Sequence, residues 1–221
     1  MIPLRAGSKG LPGKNTRLLA GKPLFMHAVD LALDAGAQRV LITTDIEQVL
    51  NATLPAGVSV VRRPADLCGD TVPMAPVLLH ALGAGQVSGP VVLLQATSPL
   101  RQVVDVQAAL QRLASGAFDL VMSVTEADRG VLKWGRLADD GRYLPLSSPE
   151  HCFANRQSLP AVVKPNGAVY AMQAEWFVAN QGFVSERIGT VVMPEARSLD
   201  IDQLADFERC EAMLLNHETG K

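Results

Sequence analysis

A stretch rich in glycine and in positive charge lies close to the start of the chain, where residues 4–15 read LRAGSKGLPGKN. Three glycines surround the cations Arg5, Lys9 and Lys14. Glycine costs conformational entropy and like charges repel, so the stretch is unfavourable unless an anion lies against it. Backbone N–H groups and cations in a turn between a strand and a helix suit a polyphosphate. A tight, solvated basic turn is the alternative.

Two familiar nucleotide-binding patterns do not fit this stretch. The Walker A pattern G-x-x-x-x-G-K-[ST] fails because Ser8 replaces its first glycine and Asn15 replaces its Ser or Thr. The pattern G-x-G-x-x-G fails because Lys9 stands two residues after Gly7. A P-loop ATPase and a dinucleotide-dependent dehydrogenase are therefore disfavoured.

Two carboxylates stand close together before the last predicted helix, where Asp200 and Asp202 form the sequence DID. We predict that they end a strand, whose two-residue period would place both side chains on the same side of the backbone. Mg²⁺ takes one or two carboxylates and completes its shell with water and phosphate oxygens. We expect a site for Mg²⁺, or for Mn²⁺, at Asp200 and Asp202. The alternative is that Asp202 caps the following helix.

Composition places these groups in one α/β domain. The chain has 221 residues, of which 48% are apolar, which is enough for one buried core. The formal net charge of -2 provides no field for nucleic acid or for an anionic membrane. Cys68, Cys152 and Cys210 are odd in number and widely spaced, and no apolar run approaches the ~20 residues of a membrane span. We expect a reduced, cytoplasmic protein.

Apolar periodicity predicts strands and helices in alternation, which favours right-handed crossovers and a mostly parallel sheet. The predicted helices cover residues 23–35, 74–84, 105–115 and 203 onward, and the predicted strands begin near residues 2, 39, 58, 91, 119, 166 and 189. MIPL leaves about four residues for the first strand, which suggests that the start is truncated or lies downstream of the natural one. Between residues 128 and 165 the alternation stops, and WGRLADDGRYLPL predicts a hairpin that turns at Asp140-Gly141. We interpret 128–165 as an arm inserted in a single domain of residues 1–221.

A series of short motifs occurs in a particular order and spacing. The motifs are RAGSKGLPGKN, GKPL, RRPADL, GDT, LLQATSPLR, RQSLP, PNGAVY and LDID. Together they resemble the acylneuraminate cytidylyltransferases, the CMP-sialic acid synthetases, over nearly the whole chain. The resemblance implies a Rossmann-like nucleotide-diphospho-sugar transferase fold with a small antiparallel dimerisation arm. It also implies a homodimer and the transfer of CMP from CTP to the anomeric hydroxyl of a nine-carbon 2-keto sugar acid.

The resemblance also assigns residues to the nucleotide. It implies that Arg5, Lys9, Lys14 and Asp202 are catalytic and that Asp200 and Asp202 hold the metal. The nucleotide-binding positions that it implies are Arg5, Lys14, Asn15, Arg63, Asp70 and Thr71. For Asp70 and Thr71 the alternative is a cap on the helix that follows.

A second set of matched positions belongs to the sugar acid. They are Gln95, Lys133, Arg156, Lys164, Asn166, Tyr170 and Phe183. Lys164 replaces the family's arginine, so Arg156 is a second candidate partner for the sugar carboxylate. Lys133 matches a lysine that reaches into the partner's site, and Val184 replaces a bulkier residue after Phe183. For Arg101 in SPLR, a surface salt bridge is the alternative to a site role.

Other sugars and one other class remain as alternatives. A cytidylyltransferase for a legionaminic, pseudaminic or Kdo-type acid would share the fold and chemistry, although PNGAVY, RQSLP and LDID favour the sialic type. A nucleotide-binding module without catalysis is disfavoured because Arg5, Lys14, Asp200 and Asp202 are all present.

Overall fold

The structure is a computed structural model that describes residues 1–219, which contain both the predicted strands and the predicted helices. The strands are β1 Ile2–Pro3, β2 Leu18–Leu19, β3 Lys22–Pro23, β4 Val40–Thr44, β5 Val58–Arg62, β6 Pro90–Leu93, β7 Leu120–Ala127, β8 Gly135–Leu137, β9 Tyr143–Pro145, β10 Val162–Gln173 and β11 Ile188–Val192. The α-helices are α1 Leu24–Asp34, α2 Glu47–Leu50, α3 Met74–Gly85, α4 Val103–Ala114, α5 Ala174–Asn180 and α6 Leu204–Thr219. Short 3₁₀ turns connect several of them.

The main sheet is built from two groups of strands. The parallel group has the order β5-β4-β1, and the second group has the order β6-β10-β7-β11. Met1 joins them, because its amine donates to the Val92 oxygen at 2.6 Å and its carbonyl accepts from the Leu94 N–H at 2.9 Å. Bonds from one residue to positions on either side of its neighbour are the parallel pattern. The result is a mostly parallel sheet, as predicted, in which β10 runs antiparallel to β6 and β7.

Helices cover both faces of this sheet. On one face α1 packs against β1 and β4, and α4 packs against β7, β10 and β11, with Phe25, Val29 and Ala109 fully or nearly fully buried. On the other face α3 and α5 pack against β6, β7 and β10, around Phe177. The helix α6 packs elsewhere, because its Phe207 contacts the loop after β1 rather than a sheet face. The packing of α6 therefore supports the glycine-rich loop on the side away from solvent.

The periodicity of the sequence predicts the longer elements, but it did not predict α2, α5, β2 or β3, and one strand prediction is wrong. The hairpin at Asp140-Gly141 is confirmed, since Leu137 pairs with Tyr143. The strand predicted to end at Asp200 and Asp202 is wrong, because this segment is an irregular loop. The Asp206 carboxylate accepts the backbone N–H groups of Asp202 (3.1 Å) and Gln203 (2.9 Å), which begins the turn into α6 instead of a strand ladder.

In the part of the chain that the structure describes, no helix combines the length and apolar character needed to cross a membrane.

Candidate functional site

A cleft of about 410 Å³ opens at the carboxyl ends of β1 and β6. One wall is the glycine-rich loop that follows β1, and the opposite wall is the turn that follows β6. Arg63 contributes from the end of β5, and Asp202 contributes from the loop before α6. Ligands of open α/β sheets bind at this edge, because the loops after the strands converge there.

The glycine-rich loop is held in place by its own polar groups. Asp45, directly after β4, accepts the backbone N–H of Ala6 at 2.8 Å. The buried Asn15 amide donates to the carbonyl oxygen of Arg5 at 3.0 Å. These bonds fix the loop backbone next to the cleft. The predicted nucleotide role of Asn15 stays a prediction.

Lys14 connects this loop to the segment before α6. Its side chain is almost fully buried, its ammonium donates to the carbonyl oxygen of Ile201, and it lies 3.4 Å from Asp202 Oδ1. Gly10 supports the same contact, because a Cβ at this position would collide with the carbonyl oxygen of Asp202. The structure therefore brings together Lys14 and Asp202, which the sequence separates by 188 residues.

Asp70 lies at the outer edge of the cleft. One of its oxygens pairs with Arg5, and the other lies 2.6 Å from the Lys9 ammonium. Hydrogen bonds from Lys9 and then Arg5 lower the pKa of this carboxyl below its usual value. The alternative of a helix cap is not realised in the described residues, since Pro73 occupies the N-cap of α3 without a side-chain hydrogen bond. Thr71 is exposed beside Asp70.

Arg63 lies at the base of the cleft with 6% of its surface exposed. It donates to the carbonyl oxygen of Thr43 at 3.2 Å. Burial lowers the pKa of its guanidinium, and the charge of Asp45 opposes that shift. Asp45 thus stabilises both the loop backbone and the charge of Arg63, although no sequence motif identified it as a site residue. The feature that could have identified it is a carboxylate at the end of the predicted strand VLITTD, because ligands bind at the carboxyl ends of such strands.

Asp200 and Asp202 lie in different environments. Asp202 points into solvent at the cleft, with 77% of its side chain exposed. Asp200 is partly buried, and its Oδ1 is buried without a hydrogen-bond partner among the residues described. Burial raises the pKa of the Asp200 carboxyl, the Thr97 side chain opposes this, and the charge of Asp202 raises it further.

An unpaired buried carboxylate oxygen beside a second carboxylate suits a divalent cation. Residues 1–219 contain no group of three or more His, Cys, Asp or Glu side chains arranged for a metal. Two carboxylates nevertheless suffice for Mg²⁺, which keeps waters and takes phosphate oxygens from a substrate. Asp200 and Asp202 therefore fit the predicted ion.

Of three predicted sugar residues, Gln95 lines the cleft, whereas Tyr170 and Phe183 pack against the core cluster around Phe177. Gln95 approaches Gly167, where the backbone φ is +76° and an added Cβ would lie 3.4 Å from Gln95 Oε1. On the same strand as Gly167, the Tyr170 ring lies 6.0 Å from the Phe183 ring. Phe183 in turn packs edge to face on Phe177 at 4.9 Å. The two rings thus form an aromatic contact within that cluster, and the Gln95 amide is the group that faces the cleft.

Asn166 turns its side chain into the protein. Its Oδ1 accepts from the Ser123 hydroxyl at 2.6 Å, and its Nδ2 donates to the Ser198 hydroxyl at 2.9 Å. The β7–β10 register shifts between Pro165 and Tyr170, so these bonds hold the irregular part of β10. Asn166 thus has a structural role in β10, and its predicted contact with the sugar stays a prediction.

Three predicted sugar residues lie on the arm side of the molecule and do not line the cleft. Lys133 belongs to a 3₁₀ turn before β8, and Lys164 is exposed on β10. Arg156 is exposed and pairs with Asp128 at 3.0 Å. Within one chain, these three cations therefore lie outside the cleft.

Arg101 is a buried residue, so its interpretation as a surface salt bridge is wrong. Only 3% of it is exposed, and it donates to the carbonyl oxygens of Gln95 (2.5 Å) and Ala168 (3.2 Å). Burial lowers its pKa to about 9, against the attraction of Asp105 and Asp200. Arg101 thus ties the end of β6 to β10 directly behind the cleft.

Comparison with solved structures identifies the fold of this chain. A solved structure described as CMP:2-keto-3-deoxy-manno-octonic acid synthetase complexed with CTP has a TM-score of 0.74 to this chain, at 19% identity, covering 98% of this chain and 97% of its own. A likeness at that identity shows a shared fold, that of the Rossmann-like nucleotidyltransferases.

Sequence comparison then defines the family. A family model described as cytidylyltransferase matches residues 1–176. An N-acylneuraminate cytidylyltransferase from Streptococcus agalactiae serotype V is 32% identical over 94% of this chain, and the chain spans about half the length (51%) of that relative. A CMP-N,N'-diacetyllegionaminic acid synthase from Legionella pneumophila is 32% identical over 99% of this chain and 97% of its own length. The chain belongs to the cytidylyltransferase family, which confirms the resemblance carried by its motifs.

Gly10→Ala should separate the glycine-rich loop from the segment before α6, because its Cβ would meet the Asp202 backbone, which cannot move away as a flexible side chain could. We expect a loss of about 1–3 kcal/mol in the free energy of unfolding. We also expect weaker CTP binding by calorimetry. Gly7→Ala is the matched control on the same loop, since a Cβ there meets nothing within 4 Å. Equal stability and CTP binding in the two variants would contradict the assigned contact.

Proposed function

We propose that this chain is an N-acylneuraminate cytidylyltransferase that transfers CMP from CTP to the anomeric hydroxyl of a nine-carbon 2-keto sugar acid of the sialic type and releases pyrophosphate. The observation that carries the proposal is the cleft, where cations from the loop and from β5 stand beside a carboxylate pair. The cations are Arg5, Lys9, Lys14 and Arg63. Membership of the cytidylyltransferase family makes CTP the nucleotide of choice.

The proposed reaction exchanges one P–O bond for another and releases a proton. The anomeric oxygen of the sugar attacks the α-phosphorus of CTP and loses its proton to solvent, while the bond from that phosphorus to the bridging oxygen breaks and its electron pair leaves with pyrophosphate. Negative charge grows on the phosphoryl oxygens and on the leaving group. Arg5, Lys9 and Lys14 would stabilise that charge from fixed positions, so that little reorganisation is needed during the reaction.

A divalent cation completes this arrangement. Asp200 and Asp202 would hold Mg²⁺ or Mn²⁺, which supplies neutralisation and polarisation of phosphate oxygens when bound. The buried, unpartnered Oδ1 of Asp200 supports this assignment. Lys14 lies 3.4 Å from Asp202 Oδ1 and would orient that carboxylate.

The sugar would lie on the side of Gln95, Tyr170 and Phe183. Tyr170 and Phe183 give an apolar wall for an acyl group, and Gln95 provides an amide for hydroxyl groups. The sugar carboxylate calls for a cation. We propose that Lys133, Arg156 and Lys164 include that partner, with Lys133 reaching the site of a second subunit in a homodimer.

A legionaminic-type acid is the second candidate substrate. The specific observation in its favour is length, because the legionaminic relative matches this chain along 97% of its own length, whereas the sialic relative is matched along 51%. Pseudaminic and Kdo-type acids remain further alternatives. An inactive nucleotide-binding module is disfavoured, since Lys14 and Asp202 form an intact contact at the cleft. We place the reaction in the cytoplasm, where CTP is available.

Exposed apolar side chains on the arm support the homodimer. Five of them are at least half exposed: Trp134, Leu137, Tyr143, Leu146 and Phe153. Exposed apolar side chains concentrated in one segment are typical of a contact with another chain. The arm begins after β7 and ends where Val162 pairs with Ala127, so both of its ends are anchored in the sheet.

The reaction class and the sugar can be tested in one assay. Pyrophosphate release is measured with CTP and Mg²⁺ against N-acetylneuraminate, its deaminated analogue, legionaminate, pseudaminate and Kdo, and each product is confirmed by mass. We expect release with one nine-carbon acid, the sialic type first. Failure of the folded protein to bind CTP would overturn the proposed function.

Asp202→Ala should abolish turnover and leave the fold intact, because this exposed carboxylate contributes to the ion and not to the core. We expect a loss on the order of 100-fold or more in kcat with Mg²⁺. Asp34→Ala, at the exposed end of α1, is the control and should keep full activity. Near-normal turnover of Asp202→Ala with Mg²⁺ would remove the metal assignment.

Phe153→Asp should convert the dimer to monomer, since this ring is 93% exposed on the arm and a buried charge disfavours association. Analytical ultracentrifugation measures the change. Val104→Asp is the control, because Val104 is also exposed, with 56% accessible, but lies on α4 outside the arm. A native chain that sediments as a monomer, or a dimer unaffected by Phe153→Asp, would argue against assembly through this surface.

A further inference from the structure

The four cations of the cleft differ in what holds them. Lys14 and Arg63 are nearly buried and donate to backbone carbonyl oxygens of Ile201 and Thr43. Arg5 and Lys9 stand at the solvent side, and both are held by a single carboxylate, that of Asp70. The outer half of the cationic site is therefore already occupied by an anion that belongs to the protein.

We infer that Asp70 is an internal counter-ion that takes the place of a polyphosphate on Arg5 and Lys9 and is displaced when the nucleotide binds. This inference rests on the proposed function, because it assigns to the triphosphate the cations that Asp70 now holds. Asp70 then acts as a competitor for its own site, and not as a nucleotide ligand. It returns to Arg5 and Lys9 when pyrophosphate leaves.

The geometry of the pair suits an exchange. Each oxygen of Asp70 serves one cation, so the carboxylate imitates two anionic oxygens of a phosphate chain. The Asp70 side chain is 35% exposed and that of Lys9 is 78% exposed, so solvent and ligand can reach both. Exposed ion pairs are weak. A polyphosphate with several charges can therefore displace one carboxylate, whereas a singly charged anion gains little.

The backbone around Asp70 allows it to leave without breaking a helix. Residues 68–73 connect a 3₁₀ turn to α3, and Val72 donates to the Gly69 oxygen at 3.2 Å in a local turn. Within the described residues Asp70 does not cap α3, whose N-cap is Pro73. Rotation of one side chain, with small adjustment of this turn, is enough to free both cations.

The test compares binding of inorganic pyrophosphate and of CTP to the native chain, Asp70→Asn and Asp66→Asn by calorimetry. Asp70→Asn keeps the shape and removes the charge, so we expect about threefold to tenfold tighter pyrophosphate binding. Asp66→Asn removes the same charge from an exposed position in the preceding 3₁₀ turn and should change binding less than about twofold, on the order expected for a distant screened charge. The difference in pyrophosphate affinity between the two variants separates the effect of the ion pairs from the effect of net charge.

The outcomes separate this inference from the proposed function. If the native chain binds CTP and Asp70→Asn binds pyrophosphate no tighter than Asp66→Asn, the inference is wrong and the function stands. Weaker binding by Asp70→Asn would make Asp70 a ligand of the nucleotide and would also overturn it. If the native chain binds no CTP while Asp70→Asn still gains affinity for pyrophosphate, the proposed function fails and the counter-ion role stands.

Discussion

The contact between the glycine-rich loop and the segment before α6 is the interaction on which the rest of the site depends. It joins residues 187 positions apart, through the Lys14 ammonium and the carbonyl oxygen of Ile201. Gly10 permits it, because any side chain at this position would press on the Asp202 backbone. The loop cations and the carboxylate pair are far apart in sequence. Without this contact they would not lie together in one cleft.

Concentrating positive charge in one cleft is costly, and the protein offsets that cost with its own carboxylates. Each cationic position faces an acidic partner: Asp45 attracts Arg63, Asp70 binds Arg5 and Lys9, and Asp202 lies beside Lys14. The ligand-free cleft is thereby stable without an external anion. The exposed pairs are the weak ones, so we expect a ligand to exchange with these first, while the buried cations keep their positions.

The parts of the molecule that we propose for the sugar are less regular than the loops that we propose for the nucleotide. β10 runs against the direction of its neighbours and carries a register shift. Its buried Asn166 bonds to Ser123 of β7, and the guanidinium of Arg101 ties it to the end of β6. The arm presents apolar side chains and three predicted cations away from the cleft. Under the proposed function, the choice of sugar would therefore depend on this irregular half and on the arm.

The sequence by itself determined the strands and helices, the charged loop and the family, because periodicity, glycine content and motif order are local properties of the chain. It did not determine which partner each polar side chain takes. Asp70 could cap a helix or bind cations, Arg101 could lie on the surface or behind the site, and the segment of Asp200 could be a strand. Only the tertiary structure determined these partners, because hydrogen bonds and ion pairs depend on which distant groups folding brings within about 3 Å. The residues adjacent in sequence carry no information about that proximity.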